Sequence, residues 1–216
     1  MASGNAIDTE GNLYQSALTA GAILRITADG VVEPFADEGV RAPVGIVIDP
    51  ASGELFVADC GAGTVLQITG EGEVSVHADD PLFSCPNGIT MDEEGNLYVA
   101  NFGDGLVLRV TADGDVSELA TVPGNSNGHL VYVDGVLYVV GRAAHQLFTV
   151  TLDGQVEVLA GTGERGLDDG PGHLATFSLP NGIAVAPDGS LYVNQVASAT
   201  GSLNFPSSLR RIELDG

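Results

Sequence analysis

Residues 85–105 read CPNGITMDEEGNLYVANFGDG. Two short apolar runs, Ile89–Met91 and Leu97–Ala100, are parted by Asp-Glu-Glu-Gly-Asn. Glycine supplies positive φ without steric cost, and Asp or Asn side chains bond back to nearby backbone, so this spacer is turn chemistry. The stretch predicts a β-hairpin with polar residues at both open ends: Pro-Asn-Gly before the first strand and Asn-Phe-Gly-Asp-Gly after the second.

The hairpin recurs. Tyr14, Phe56, Tyr98, Tyr138 and Tyr192 each close a run of the Gly-x-Leu-Tyr kind, at intervals of 42, 42, 40 and 54 residues. Behind each lies a second signature: RITADG (25–30), QITGEG (67–72), RVTADG (109–114), TVTLDG (149–154) and RIELDG (211–216). Behind four of these comes one more short run: VVEPFA, EVSVHA, DVSELA and QVEVLA. Four short strands per ~40-residue repeat is the pattern of a β-propeller blade. A β-sandwich is the competing all-β fold, but sandwiches do not repeat their turn chemistry at a constant interval.

The expected fold is therefore an all-β propeller of four-stranded antiparallel blades, at about 1–41, 42–84, 85–124, 125–179 and 180–216. The last blade has three strands, because nothing follows RIELDG. The one long irregular segment, 161–179, accounts for the 54-residue interval. Propellers commonly close by borrowing a strand from the other terminus. Met1 starts within a residue or two of the first innermost strand, so the expectation is an upstream segment carrying an outer strand, a sixth blade and a signal peptide.

Composition excludes several functions. Seven arginines, no lysine and 29 acids give a net charge of −22, which repels nucleic acid and anionic membranes. The acids are scattered, as a solubilising surface requires. No apolar run nears the ~18 residues that cross a bilayer. Walker loops, dinucleotide fingerprints and Gly-x-Ser-x-Gly elbows are absent, and GTGERG (161–166) lacks a phosphate loop's lysine.

In an antiparallel hairpin the start of the first strand and the end of the second share one edge. With the first strand innermost, that edge rims the central channel. The Pro-x-Gly position then offers Ser3, Val44, Asn87, Asn127 and Asn181, and the residue three past the Tyr anchor offers Ala17, Asp59, Asn101, Gly141 and Gln195. Asn87, Asn127, Asn181, Asp59, Asn101 and Gln195 are candidate contacts for a small polar ligand, a protein partner or a divalent cation such as calcium. The competing reading is that Asn before Gly caps the strand by bonding neighbouring backbone.

PNGIAVAPDGSLYV (180–193) resembles the opening hairpin of an NHL repeat, and residues 161–185 resemble the glycine-rich connector and next blade of NHL-type propellers. The same unit is similar to that of the six-bladed senescence-marker-protein/gluconolactonase family. The resemblance implies a metal held at the Pro-x-Gly ring by Glu, Asn and Asp. Asn87, Asn127 and Asn181 match the Asn; no unit matches the Glu or the Asp, and Asp59 is the nearest substitute. The expected function is an exported binding scaffold acting through the channel mouth, with a metal-dependent lactonase or esterase as the alternative.

His129 stands where other units have Ile46, Ile89 and Ile183, which predicts a histidine packed between blades. His145 with Arg142, and His173 with Asp168 and Asp169, occupy two loops expected on the rim face; their spacing fits no zinc motif. His77 lies in an outer strand. Cys60 and Cys85 lie in loops expected on the same face of adjacent blades, within reach of a disulfide. A bridge implies an extracellular or periplasmic setting; two separate buried thiols are the other reading.

Overall fold

A computed structural model describes residues 2–198 and 207–214. Those residues form five antiparallel sheets, each made of strands consecutive in the chain. The first holds β1 (Ala2–Ile7), β2 (Leu13–Ala17), β3 (Ala22–Ile26) and β4 (Val32–Ala36). The second holds β5 (Pro43–Ile48), β6 (Leu55–Asp59), β7 (Thr64–Ile68) and β8 (Val74–Asp79), and the third β9 (Pro86–Met91), β10 (Leu97–Asn101), β11 (Leu106–Val110) and β12 (Val116–Thr121). The fourth holds β13 (Asn127–Val133), β14 (Val136–Gly141), β15 (Gln146–Thr151) and β16 (Val156–Ala160). The fifth has three described strands, β17 (Ile183–Val185), β18 (Leu191–Val196) and β19 (Ser207–Ile212). No helix occurs among the described residues. Each sheet is a propeller blade, and the fold is all-β.

The chain divides into two compact units. One runs to Asn101 and adds Leu108–Glu118; the other holds Phe102–Val107 and everything from Leu119 onward.

Turn chemistry sets the strands. In the first hairpin Asp8 Oδ1 accepts the N–H groups of Glu10 (2.9 Å) and Asn12 (2.8 Å). Asp92 does the same for Glu94 (3.0 Å) and Asn96 (2.8 Å). Between third and fourth strands a threonine hydroxyl takes the load. Thr69, Thr111 and Thr151 accept the N–H groups of Glu73, Asp115 and Gln155 at 3.0–3.2 Å. Asp8 and Asp92 are thus committed to local turns.

The Pro-x-Gly signature has a packing cause. The register of β1, β5, β9 and β13 against the next strand breaks at this position, a bulge repeated in four blades. There the glycine lies against the next blade. A Cβ on Gly4 would clash with the Val44 carbonyl oxygen, one on Gly45 with that of Asn87, and one on Gly128 with that of Asn181. Only glycine lets the inner strands approach this closely. Apolar side chains fill the space behind: Tyr14, Ile23 and Ala36 pack with Ile46, Leu55, Val57 and Leu66 in the first unit. In the second, Val140, Leu147 and Ala160 pack with Phe177 and Val193.

Candidate functional site

The polar hairpin ends are buried, and the structure assigns them backbone partners. Asp59, at the end of β6, is fully buried. Its carboxylate accepts four N–H groups, from Arg41 (2.7 Å), Ala42 (2.9 Å), Gly61 (2.9 Å) and Ala62 (3.0 Å). Asn101, equally placed on β10 and fully buried, donates to the Leu82 carbonyl at 2.8 Å. Gln195 on β18 accepts from the Ser178 N–H at 3.0 Å and donates to Ser208 Oγ at 3.3 Å. In each case the end of a second strand holds the connector that leads into its own blade. Asn127 is buried and donates to the Leu106 carbonyl at 3.3 Å. Asn87 is buried too, with its own carbonyl against Gly45.

Asp59, Asn87 and Asn101 belong to the first unit; Asn127, Asn181 and Gln195 belong to the second. Next to Asp59 and Asn87, Cys60 and Cys85 form a disulfide across adjacent blades. Among the described residues no three His, Cys, Asp or Glu side chains stand together to hold a metal. Asp59, the carboxylate nearest the expected ring, directs its oxygens to N–H donors. His173 is exposed, and Asp169 pairs with Arg210 at 2.6 Å.

Asn181 differs. It is half-buried, and its Oδ1 accepts from Arg142 Nη1 at 3.3 Å. The same nitrogen donates to the Leu179 carbonyl at 3.2 Å. The Leu179 N–H donates to His145 Nδ1 at 3.2 Å. From the long connector, Arg165 Nε donates to Ser178 Oγ at 2.9 Å. Three basic side chains from two loops thus converge on residues 178–181, beside Gln195.

The site is electrostatically positive. Burial first, then the charge of Arg165, lowers the pKa of Arg142. Burial, then Arg165 and Arg142, lowers that of His145, which keeps the imidazole neutral near pH 7. Because a backbone N–H must donate, His145 Nδ1 is the acceptor and the ring proton sits on Nε2. Arg142, Arg165 and neutral His145 therefore all present donors.

His145 also breaks the repeat. Seven residues past the Tyr anchor the first three blades place Gly21, Gly63 and Gly105, with φ of 62°, 70° and 82°. The fourth blade places His145 there, with φ of 56°. A non-glycine residue in this region costs on the order of 1 kcal/mol. The substitution for glycine was visible in the sequence at a fixed offset. Arg165 was hidden inside GTGERG, a segment outside the repeat, so no alignment of units could single it out.

Five blades of four-stranded antiparallel design, the last with three described strands, define a β-propeller. The virginiamycin B lyase family matches residues 2–203, and the chain belongs to that family. No curated protein matches the sequence. Among solved structures, a streptogramin B lyase is similar over 89% of this chain at 20% identity and a TM-score of 0.71. This chain spans 61% of that protein's length. Virginiamycin B lyase from Staphylococcus aureus is similar at 17% identity over 98% of this chain and 70% of its own, with a TM-score of 0.69. A chain of a nidogen/laminin complex is similar at 18% identity over 90% of this chain and 72% of its own, with a TM-score of 0.73. Among the described residues no helix is long and apolar enough to cross a membrane.

Proposed function

We propose that the protein binds a small ligand rich in carbonyl or carboxylate oxygens at the donor cluster of Arg142, His145, Arg165 and Asn181. The observation that carries this reading is His145 in a left-handed position that the preceding three blades fill with glycine. A strained residue whose ring is oriented by a backbone N–H, beside two guanidinium groups, is a poor choice for stability and a good one for recognition. In a chain of net charge −22 with seven cationic side chains, gathering two of them beside a neutral imidazole donor favours an electron-rich guest. The disulfide between Cys60 and Cys85 supports a setting in an oxidising compartment.

Family membership favours a second reading, a lyase-type enzyme, with virginiamycin B the compound named for the relatives. In that reading the arginines hold carbonyl or carboxylate oxygens of the substrate. The metal-dependent lactonase alternative would need carboxylates at the ring, and Asp59 is committed to four N–H groups.

Calorimetric titration with virginiamycin B tests binding, and mass spectrometry of the mixture tests turnover. Binding that Arg142→Gln weakens at least about tenfold, equivalent to ~1.4 kcal/mol, is expected. Bond cleavage without gain of water would establish the lyase reading, whereas a gain of one water would establish hydrolysis. Unchanged binding in Arg142→Gln and His145→Gly would remove the site.

A further inference from the structure

Phe102 and Arg142 hold the same place in the repeat. Each is the fourth residue after its Tyr anchor, at the head of the loop that follows a second strand. The first two blades have Leu18 and Cys60 there, and both are tied down: Leu18 is half-buried and Cys60 is bonded to Cys85. Phe102 is 41% exposed, and among the described residues it is the one exposed aromatic side chain. No ring or guanidinium of the described residues stacks on it. Its turn does not need a ring. Asp104 Oδ1 accepts the Leu106 N–H at 3.0 Å, and Gly105 supplies a φ of 82°.

The loops that carry Phe102 and Arg142 pack on one connector, residues 122–126, and all three segments belong to the second unit. Early in the connector the Val122 N–H donates to the Gly105 carbonyl at 2.9 Å, and a Cβ on Gly105 would lie 3.1 Å from Asn125 Cα. Later, the Ala143 N–H donates to the Ser126 carbonyl at 3.3 Å, and a Cβ on Gly124 would come within 2.7 Å of the Ala144 nitrogen. These close approaches fix the two loops as neighbours. Arg142 is also without an acid. Among the described residues the carboxylates that pair with arginine go to Arg25, Arg210 and Arg211. Arg142 bonds a carbonyl and an amide oxygen instead.

We infer that the guest of this site is an aromatic carboxylate, its acid group held by the donor cluster and its ring stacked on Phe102. The inference rests on the donor cluster proposed above and adds the apolar half of the guest. A guanidinium takes a carboxylate through paired N–H groups. A phenyl face gains from an offset or edge-on second ring beyond the area that it buries. A guest made of oxygens alone would leave Phe102 in water.

The test is titration of the full chain with phenylacetate, cyclohexylacetate and acetate at millimolar concentration, followed by NMR chemical shifts. Phenylacetate should bind about three- to tenfold more tightly than cyclohexylacetate, which has the same charge and similar bulk without π faces. Phe102→Leu should erase that difference and leave acetate as it was, with the melting temperature unchanged because the side chain is exposed. Phe102→Trp should keep the difference, and Arg142→Gln should weaken all three acids. Equal binding of the two ring acids, or a preference that survives Phe102→Leu, overturns the inference and leaves the donor cluster standing. No binding of any of the three, or binding that Arg142→Gln leaves unchanged, removes the donor cluster and this inference with it.

Discussion

The Leu179 N–H donates to His145 Nδ1 at 3.2 Å, and both residues hold positive φ, 46° for Leu179 and 56° for His145. Two residues with costly backbone geometry are joined by one hydrogen bond. For Leu179 the geometry belongs to the repeat, since Cys85 and Asn125, two residues before Asn87 and Asn127, share it at 51° and 56°. For His145 it belongs to this blade alone, because the first three blades have glycine at that offset. His145→Ala and His145→Gly both lose the ring and its hydrogen bond, and only glycine relieves the backbone. The glycine variant should be more stable by about 1 kcal/mol, measured by urea denaturation. Equal stability would show that the position carries no strain.

His129 gives a pH dependence with a definite sign. Its surroundings push its pKa down from 6.5 to about 4 by burial. The unfolded chain takes up this proton near pH 6.5 and the folded chain only near pH 4. The contribution to stability is therefore complete above pH 6.5 and is lost as pH falls toward 4, at up to ~1.4 kcal/mol per pH unit. His129→Ile, which copies Ile46, Ile89 and Ile183, should flatten that acid limb. Denaturant melts at pH 7, 5.5 and 4.5 would detect it; an unchanged slope would sink the assignment.

Asp59→Ala should be among the costliest single changes. It leaves four N–H groups of two part-buried loops, 41–42 and 61–62, without their buried acceptor, and a loss of about 3 kcal/mol is expected. A loss under about 1 kcal/mol would mean that water replaces the carboxylate.

Gly128→Ala and Gly70→Ala form a matched pair. A Cβ at Gly128 meets the Asn181 carbonyl, whereas one at Gly70 meets nothing within 4 Å. The first should lose roughly 2–3 kcal/mol through overpacking. The second should be neutral or gain about 0.5 kcal/mol by restricting the unfolded chain. Similar values for both would refute the close-approach account of the Pro-x-Gly signature.

The bridge between Cys60 and Cys85 closes a separation of 25 residues. Loop-closure entropy puts its contribution at ~3–4 kcal/mol. Reduction should lower the midpoint of denaturation accordingly. Non-reducing peptide mapping of protein from its native compartment should show a linked pair; two free thiols there would remove the support for an oxidising setting.

The blade architecture was written in the sequence, because strand periodicity and turn residues act over a few positions and the repeat multiplies each signal fivefold. Tyr14, Phe56, Tyr98, Tyr138 and Tyr192 all fall in second strands. Sequence also set the register, since Pro43 and Asp59, or Pro86 and Asn101, pair at one hairpin edge as their offsets require. The direction in which a polar side chain turns at that edge was not legible. Asp59, Asn101 and Gln195 could bond a guest or a connector, and the choice depends on backbone up to 19 residues away. The meeting of Arg142, His145 and Arg165 needed the path of residues 161–179, which has no periodicity to read. Local chemistry determined the blades; long-range backbone placement alone decided which polar groups are spent on holding them and which converge on residues 178–181.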